Sequence, residues 1–360
     1  MRYAAAVAVA AAVSWLLTPP AIRLALRTGF LDKPAGYKGH QSPTPYLGGC
    51  AITGGVLSGV VVCGMPERYL LLVVLAVVMW FTGTVDDRVS LPIVPRVLLE
   101  AGFGFWLWDA GLGWTVFHES VADAALSIIW VVGVINAFNL MDNMDGASAT
   151  VSCISSLGIG TLALLSDRGP GVAPVCFAVA GACAGFLPRN LASPARIFMG
   201  DGGSLPLGLL VSATAMCAVN RGYFGPSGVV IGALLVALVI LDTTLVTISR
   251  SRAGAPILTG GRDHLTHRLA RLLGSPRRVA LSLAAGQTLI CAVTVAVAQA
   301  GLAWVLLAGG LGLVFGGVLI WGLESAPVFR AVRTASPVAA EADRSNTGAA
   351  GDSRPELSLR

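Results

Sequence analysis

Long apolar segments recur along the chain, and short polar stretches separate them. A transmembrane helix needs about 20 mostly apolar residues, and on that rule the pattern predicts eleven spans. They cover approximately residues 3–26, 47–64, 69–85, 93–112, 122–140, 149–166, 172–189, 203–219, 228–249, 279–299 and 302–323. Residues 331–360 are polar and lack periodic apolar positions. We therefore expect an all-α membrane domain over residues 1–325, followed by a disordered cytoplasmic tail.

Composition and charge agree with this architecture. Hydrophobic residues make up 55% of the 360 positions and charged residues only 12%, about half the charge of ordinary soluble domains. This excludes a soluble enzyme, and we expect no nucleic-acid partner. Twenty of the 24 Lys and Arg residues fall on one side of the predicted topology. The positive-inside rule places that side in the cytoplasm, which predicts a cell-membrane protein with its N-terminus outside and its C-terminus inside.

Acidic residues concentrate at the predicted cytoplasmic ends of the spans. Five aspartates are placed in this way: Asp86, Asp87, Asp142, Asp145 and Asp201. A carboxylate at membrane depth costs about 2.5–3.5 kcal/mol even on lenient scales. Their repeated placement at one face therefore indicates a site, with the Arg88 guanidinium expected beside Asp86 and Asp87.

Amide and glycine residues accompany these acids. Asn136, Asn139, Asp142 and Asp145 are spaced three apart, and a helix would place them on one face. Asp201 stands in a glycine-rich turn before a predicted helix. Backbone N–H groups and the helix N-terminus favour phosphate oxygens at such a turn.

Basic groups near this face are candidates for binding phosphate. His264, His267 and Arg268 fall within about one helical turn, and we interpret the two histidines as phosphate contacts in preference to metal ligands. Lys38 either faces phosphate or is a topology charge. An oxygen-rich site beside such groups suits Mg²⁺, with Mn²⁺ as a substitute. The residues therefore predict metal-dependent phosphoryl chemistry at the cytoplasmic face.

Two further acids fall inside predicted spans. For Asp242, a functional carboxylate and one satisfied by hydrogen bonds between helices are equally compatible with the sequence. For Glu100 we favour the second interpretation. A transporter or cation channel is the rival class of function, because intramembrane acids often mark ion pathways. The acids here cluster at one face, however, and the sequence has no internal repeat of the kind many transporters show.

Five segments in order, over about residues 20–275, resemble the polyprenyl-phosphate N-acetylhexosamine-1-phosphate transferases. They are Asp32 to Gly49, Asp86-Asp87-Arg88, Asn136 to Ser148, Asn190 to Ser204, and Gly261 to Leu269. The resemblance implies that a sugar 1-phosphate passes from a UDP-N-acetylhexosamine to a polyprenyl phosphate lipid, giving UMP. This is a first membrane step of cell-wall or surface-polysaccharide synthesis. The resemblance also leaves a homodimer open.

The same resemblance assigns roles to residues. Asp201 is the implied Mg²⁺ ligand with Asp87 beside it, and Phe198 is the implied partner of the uracil ring. The other implied roles fall into groups: essential carboxylates at Asp86, Asp87, Asp142 and Asp145; substrate contacts at Asn136, Asn139, Asn190 and Lys38; diphosphate contacts at His264, His267 and Arg268.

Three departures from the family pattern bear on the substrate. Asn143 and Ala147 stand where Gly and Leu are usual, and His264-x-x-His267-Arg268 replaces a histidine-rich run. The replacement of the histidine-rich run resembles the N-acetylglucosamine-type and related branches, with phospho-N-acetylmuramoyl-pentapeptide transferase as the alternative. The sequence leaves open which sugar is used, the length of the lipid, and whether transfer is direct or proceeds in two steps.

Overall fold

Helices account for almost all of the computed structural model, which describes residues 1–32, 43–165, 171–220, 225–256 and 261–326. The helices are α1 (Arg2–Thr28), α2 (Gly48–Cys63), α3 (Leu70–Val89), α4 (Ile93–Asp109), α5 (Ser120–Met141), α6 (Ala147–Leu164), α7 (Ala173–Asn190), α8 (Asp201–Asn220), α9 (Ser227–Leu235), α10 (Ala237–Ala253), α11 (Leu265–Leu273), α12 (Pro276–Ala300) and α13 (Leu302–Ser325). A 3-10 turn (Glu67–Tyr69) precedes α3. Strands β1 (Leu31–Asp32) and β2 (Thr44–Pro45) pair antiparallel, with Leu31 opposite Pro45.

The eleven predicted spans all coincide with helices. In the described part of the chain, seven helices are long and apolar enough to cross a membrane, or eight if the bent pair α9 and α10 counts as one span. The chain is therefore a nearly all-helical, multi-pass membrane protein, as predicted. The count of eleven and the orientation of the termini stay predictions.

Helix α8 forms the centre of the bundle. Residues 202–219 of α8 are all buried, and the helix packs against α3 and α5 on two of its sides. Helix α1 packs instead against α2 and α7. Small residues permit this last contact: a Cβ at Gly185 of α7 would lie 2.1 Å from the Ala11 carbonyl oxygen of α1. Close backbone approach of this kind is typical of helix pairs in membranes.

The ninth predicted span is broken, which its apolar sequence did not indicate. Helices α9 and α10 meet at Val236 with a bend of 83°. Gln287 of α12 donates its side-chain N–H to the Leu235 carbonyl oxygen at 2.7 Å. A side chain that bonds a carbonyl released by a kink removes much of the cost of breaking the helix.

The outermost helix differs from the central one. Of the α13 residues, only Val305, Leu323 and Glu324 are buried, so most of α13 presents an apolar surface to the surrounding membrane. The predicted tail, residues 331–360, lies outside the described residues, as does Lys38. The domain boundary at residue 325 therefore stays a prediction.

Candidate active site

The carboxylate of Asp87, near the C-terminal end of α3, caps the N-terminus of α8. The Asp201 backbone N–H donates to Asp87 Oδ1 at 2.8 Å, and the Gly202 N–H donates to Oδ2 at 3.0 Å. A negative charge at a helix N-terminus is favourable. Asp87 thus fixes the start of α8 to α3, and each of its oxygens keeps further acceptor capacity.

Two glycines bring α2 and α3 against the first turn of α8. A Cβ at Gly83 of α3 would lie 2.2 Å from the Asp201 carbonyl oxygen, and a Cβ at Gly49 of α2 would lie 2.2 Å from that of Gly202. No side chain fits at these distances. Asp201 is therefore located by direct contact of three helix backbones.

The Asp201 carboxylate has partners from two other helices. Asn139 of α5 donates to Asp201 Oδ1 at 2.6 Å and to the Ser204 hydroxyl at 3.1 Å. Arg96 of α4 lies 3.4 Å from Asp201 Oδ2. The Asp201 side chain is 27% exposed, so it is held by the protein and still reachable from outside.

Asp86, the residue before Asp87, is bound mainly by Arg96. Its carboxylate accepts from the Leu91 N–H at 2.6 Å and from Arg96 at 2.8 Å. One turn further along α4, Glu100 is fully buried and accepts a hydrogen bond from Asn136 of α5. Asn136 therefore contacts Glu100, whereas Asn139 contacts Asp201.

The loop between α5 and α6 carries the two remaining aspartates and is anchored at several points. The Asn143 amide donates to the Leu140 carbonyl at 2.6 Å, and Asn143 Oδ1 accepts from the Thr266 hydroxyl of α11. On the other side, Asn190 accepts from the Gly146 N–H at 2.7 Å and donates to the Ile197 carbonyl at 3.0 Å.

Asp142 and Asp145 differ from these anchored neighbours. No hydrogen bond or ion pair reaches either carboxylate from the residues that the structure describes. Burial, and then the charges of Asp201 and Asp87, raise the pKa of Asp142 well above its usual range. Burial raises the pKa of Asp145 to about 6. We call Asp86, Asp87, Asp142, Asp145 and Asp201 the aspartate cluster. It holds more carboxyl groups than it has basic partners among the described residues.

An aromatic pair borders the aspartate cluster. The Tyr46 and Phe198 rings meet edge to face with centroids 6.2 Å apart, and a Cβ at Gly200 would lie 2.6 Å from the Tyr46 ring. Two backbone bonds hold Phe198, from its own N–H to the Pro45 carbonyl and from the Gly48 N–H to its carbonyl. Burial, with Asp87 and Asp201 next, raises the pKa of Tyr46, so this phenol stays protonated.

A second charged group lies between α10, α11 and α13, and its members are mutually paired. Arg250 forms a two-pronged pair with Asp263, at 2.8 and 2.9 Å. Arg268 donates to Glu324 at 2.7 Å, to the Ser249 hydroxyl at 3.0 Å and to the Leu323 carbonyl at 2.8 Å. We call Arg250, Asp263, Arg268 and Glu324 the arginine brace. Arg268 is buried, and its guanidinium ties α11 to the end of α13.

The histidines lie beside the arginine brace. Asp242 accepts from the Leu265 N–H at 2.6 Å and lies 2.9 Å from His264 Nδ1, so its carboxylate is satisfied between helices. Burial, followed by the charges of His264 and Arg262, lowers the pKa of His267 to about 4. His267 is therefore neutral near pH 7, and its Nδ1 has no hydrogen-bond partner in the described part of the chain.

The structure thus groups some of the predicted site residues and separates others. Asp86, Asp87, Asn139 and Asp201 share one network. The side chains of Asn190 and Arg268 form hydrogen bonds with other groups of the protein. Both residues therefore have a positioning role in this structure. Lys38 lies outside the described residues. The assigned roles in catalysis and ligand binding stay predictions.

The sequence did not predict that Arg96 is the guanidinium paired with the aspartate cluster. Arg88, expected beside the carboxylates, instead donates to the Gly29 carbonyl at 3.3 Å and lies over the Phe30 ring. Arg96 takes that place after the turn that ends α3. The four-residue spacing of Arg96 and Glu100 on one helix was the available signal. Tyr46 had no comparable signal.

The donor atoms of the cluster suit a hard cation. Within the described ranges, no three His, Cys, Asp or Glu side chains converge as a complete metal-binding set. Mg²⁺ does not need such a set, because one or two carboxylates with water and substrate phosphates are enough. Asp201 and its aspartate neighbours present oxygen donors only, so the residues fit Mg²⁺.

These features define a multi-pass membrane protein with an acidic, oxygen-rich site at one end of its helix bundle. The chain belongs to glycosyl transferase family 4, whose model matches residues 69–219. It is 31% identical over 267 residues to a probable undecaprenyl-phosphate N-acetylglucosaminyl 1-phosphate transferase of Bacillus subtilis, covering 71% of this chain and 73% of that protein.

Two further relatives have related names. A decaprenyl-phosphate N-acetylglucosaminephosphotransferase of Mycobacterium tuberculosis is 30% identical, with 76% of each chain covered. An undecaprenyl-phosphate alpha-N-acetylglucosaminyl 1-phosphate transferase of Escherichia coli is 28% identical, covering 69% of this chain and 71% of that protein. The family resemblance inferred from the sequence is therefore confirmed.

Proposed function

We propose that this protein transfers N-acetylglucosamine 1-phosphate from UDP-N-acetylglucosamine to a polyprenyl phosphate, giving a polyprenyl-diphosphate sugar and UMP. The reaction requires Mg²⁺, for which Mn²⁺ substitutes, and takes place at the cytoplasmic face of the cell membrane. The names of the relatives support the acceptor and the sugar. The distribution of Lys and Arg supports the orientation.

One observation carries the proposal. Asp201 stands at the N-terminus of the central helix and is held there by Asp87, Asn139 and Arg96 from three other helices. Segments far apart in the sequence thus converge on a single aspartate at the end of the bundle. Convergence of this kind is expected of a reaction centre more than of a structural contact.

The reaction brings two phosphate-bearing anions together, so charge neutralisation is the main requirement. Asp201, with Asp87 next to it, would hold Mg²⁺, which would neutralise diphosphate charge. The lipid phosphate has a second pKa near 6 and is mostly a dianion at pH 7, so it attacks phosphorus without help from a strong base. The neutral imidazole of His267 offers one hydrogen bond to phosphate.

The aromatic pair suits the UDP-sugar donor, and the lipid-facing helices suit the polyprenyl phosphate acceptor. Phe198, fixed by its backbone bonds and braced by Tyr46, offers a ring face for stacking on uracil. The polyprenyl chain is apolar and stays in the membrane. The aspartate cluster therefore meets a water-soluble donor and a membrane-held acceptor at one boundary.

The test is transfer by the purified protein in detergent, with polyprenyl phosphate, Mg²⁺ and labelled UDP-N-acetylglucosamine. Lipid-linked label and UMP should form in equal amounts, and Asp201→Asn should lower the rate by about 10³-fold or more. Asp109→Asn, which removes an exposed carboxylate at the other end of α4, is the matched control and should keep activity.

Other donors separate the alternatives. Transfer only from UDP-N-acetylmuramoyl-pentapeptide would replace the proposed sugar and leave the reaction class intact. Absence of transfer from every UDP-sugar, with cation flux in proteoliposomes, would instead favour a channel or transporter and overturn the proposal.

A further inference from the structure

The guanidinium of Arg96 lies among three carboxylates and is attached to them unequally. It is 2.8 Å from Asp86 Oδ2, 3.4 Å from Asp201 Oδ2 and 3.7 Å from Glu100 Oε1. Only the contact with Asp86 has the length of a strong charged hydrogen bond, which is about 2.7–2.9 Å. The other two distances are loose, so Arg96 has one firm partner and two weaker ones.

The Glu100 carboxyl group can accept a hydrogen bond from Arg96 that is not formed in this structure. Asn136 fixes one Glu100 oxygen, while the other oxygen and Arg96 Nε are both buried without hydrogen-bond partners in the described part of the chain. Closing 3.7 Å to a normal bond takes a shift of about 0.8 Å. A long, flexible arginine side chain accommodates that shift without backbone movement.

A divalent cation on Asp201 would change the balance at Arg96. A guanidinium and a metal ion that share one carboxylate repel each other, and the repulsion is strong near a partly buried site. Glu100, one turn along α4, offers a fully buried carboxyl group to Arg96 Nε, whereas Asp201 is contacted by Arg96 Nη1. Movement toward Glu100 would relieve the repulsion while the Asp86 bond is kept.

We propose that Arg96 is a built-in counter-ion that competes with the divalent cation for Asp201, and that Glu100 receives Arg96 when the cation binds. The Arg96–Glu100 pair thereby sets the affinity of the site for the cation. This inference rests on the Mg²⁺ site of the proposed function, and it gives positioning roles to two residues outside the aspartate cluster.

The experiment measures Mn²⁺ binding to the full-length protein in detergent, without nucleotide or lipid, by electron paramagnetic resonance of free Mn²⁺. Arg96→Gln removes the competitor and should tighten Mn²⁺ binding about ten-fold. Glu100→Gln removes the receiving charge and should weaken binding several-fold. In the double variant, the Glu100→Gln effect should largely disappear, because Glu100 acts through Arg96.

Two control variants isolate the competition from charge and from folding. Arg88→Gln makes the same charge change next to Asp87, but its guanidinium faces Gly29 and Phe30, so Mn²⁺ affinity should change by less than about two-fold. Arg96→Lys keeps the charge and should stay near the wild-type affinity. Thermal unfolding of each variant, with and without Mn²⁺, checks the fold.

Opposite shifts for Arg96→Gln and Glu100→Gln support the inference. Unchanged or weaker Mn²⁺ binding in Arg96→Gln would overturn it and leave Arg96 a structural residue. If Arg96→Gln does not fold, Glu100→Gln decides, since unchanged or tighter binding there also overturns the inference. Failure of the wild-type protein itself to bind Mn²⁺ at millimolar concentration would count against the metal requirement of the proposed function.

Discussion

The aspartate cluster and the arginine brace lie at the same end of the bundle and differ in charge balance. In the brace, Arg250 is paired with Asp263 and Arg268 with Glu324. In the cluster, five carboxylates share one described guanidinium, that of Arg96. A folded chain tolerates unpaired buried charge only at a cost. The brace therefore serves the fold, and the cluster has the imbalance expected of a binding site.

Removing a charged group should lower stability in the arginine brace and raise it in the aspartate cluster. This is the largest effect that we expect. Arg268→Leu removes the guanidinium that lies 2.7 Å from the buried Glu324 carboxylate and should lower the free energy of unfolding by about 3–5 kcal/mol. Asp142→Asn removes a charge that burial disfavours and should raise the unfolding temperature while abolishing transfer. Thermal and denaturant unfolding in one detergent measure both.

A stability loss in Asp142→Asn would mean that its carboxylate has a favourable partner, which would remove the contrast. Arg252→Leu is the matched control for the brace, because Arg252 is largely exposed. It should change stability by less than about 1 kcal/mol.

Stability should also depend on pH with opposite signs in the two regions. Asp145 has a pKa raised to about 6, against an unfolded value of about 3.9. The unfolded chain therefore loses its proton first, and this contribution to stability falls as pH rises from about 4 to 6. His267 has a pKa lowered to about 4, against about 6.5 unfolded. Its contribution is present above pH 6.5 and is lost as pH falls toward 4.

The pH ranges over which Asp145 and His267 titrate overlap. The two contributions to stability are therefore separated by comparing each variant with wild type. Relative to wild type, Asp145→Asn should gain stability as pH rises from 4 to 6, and His267→Gln should gain as pH falls from 6.5 to 4. Each effect should reach about 2–3 kcal/mol. Parallel pH profiles for wild type and both variants would show that neither group titrates as inferred.

The smallest expected effect concerns the contact that joins the two regions. Asn143, next to Asp142, accepts a hydrogen bond from Thr266 of α11, which lies between the two histidines. Asn143→Ala and Thr266→Val should each lower the free energy of unfolding by about 1 kcal/mol. A double-mutant cycle should give a coupling energy of about 0.5–1 kcal/mol. Strict additivity would mean that the two regions are energetically independent.

Much of the helical framework follows from the sequence, because apolar length is a local property. The eleven predicted segments match helices, and the acidic positions at their ends were visible for the same reason. The 83° bend at Val236 was not visible, because no Pro or Gly marks it. Gln287, which bonds the Leu235 carbonyl there, is remote in the chain.

The site was predictable in its residue types and less so in its pairings. The three-residue spacing predicted that Asn136, Asn139, Asp142 and Asp145 share one helix face, but α5 ends at Met141. Asn139 contacts Asp201 of α8, whereas Asn136 contacts Glu100 of α4. Adjacency suggested Arg88 as the counter-ion, yet the turn after α3 brings Arg96 to the carboxylates. Partner choice depends on how helices cross, which spacing along one helix does not encode.

The close backbone contact at Gly83 and Gly49 has an evolutionary consequence. Every amino-acid change that a single nucleotide substitution makes in a glycine codon adds a side chain, of which alanine is the smallest. At Gly83 even that one methyl group would lie 2.2 Å from the Asp201 carbonyl oxygen. No single-nucleotide substitution that changes the amino acid at Gly83 would therefore preserve this helix contact. The placement of Asp201 should be inherited nearly unchanged, while the lipid-facing surface of α13 remains free to vary.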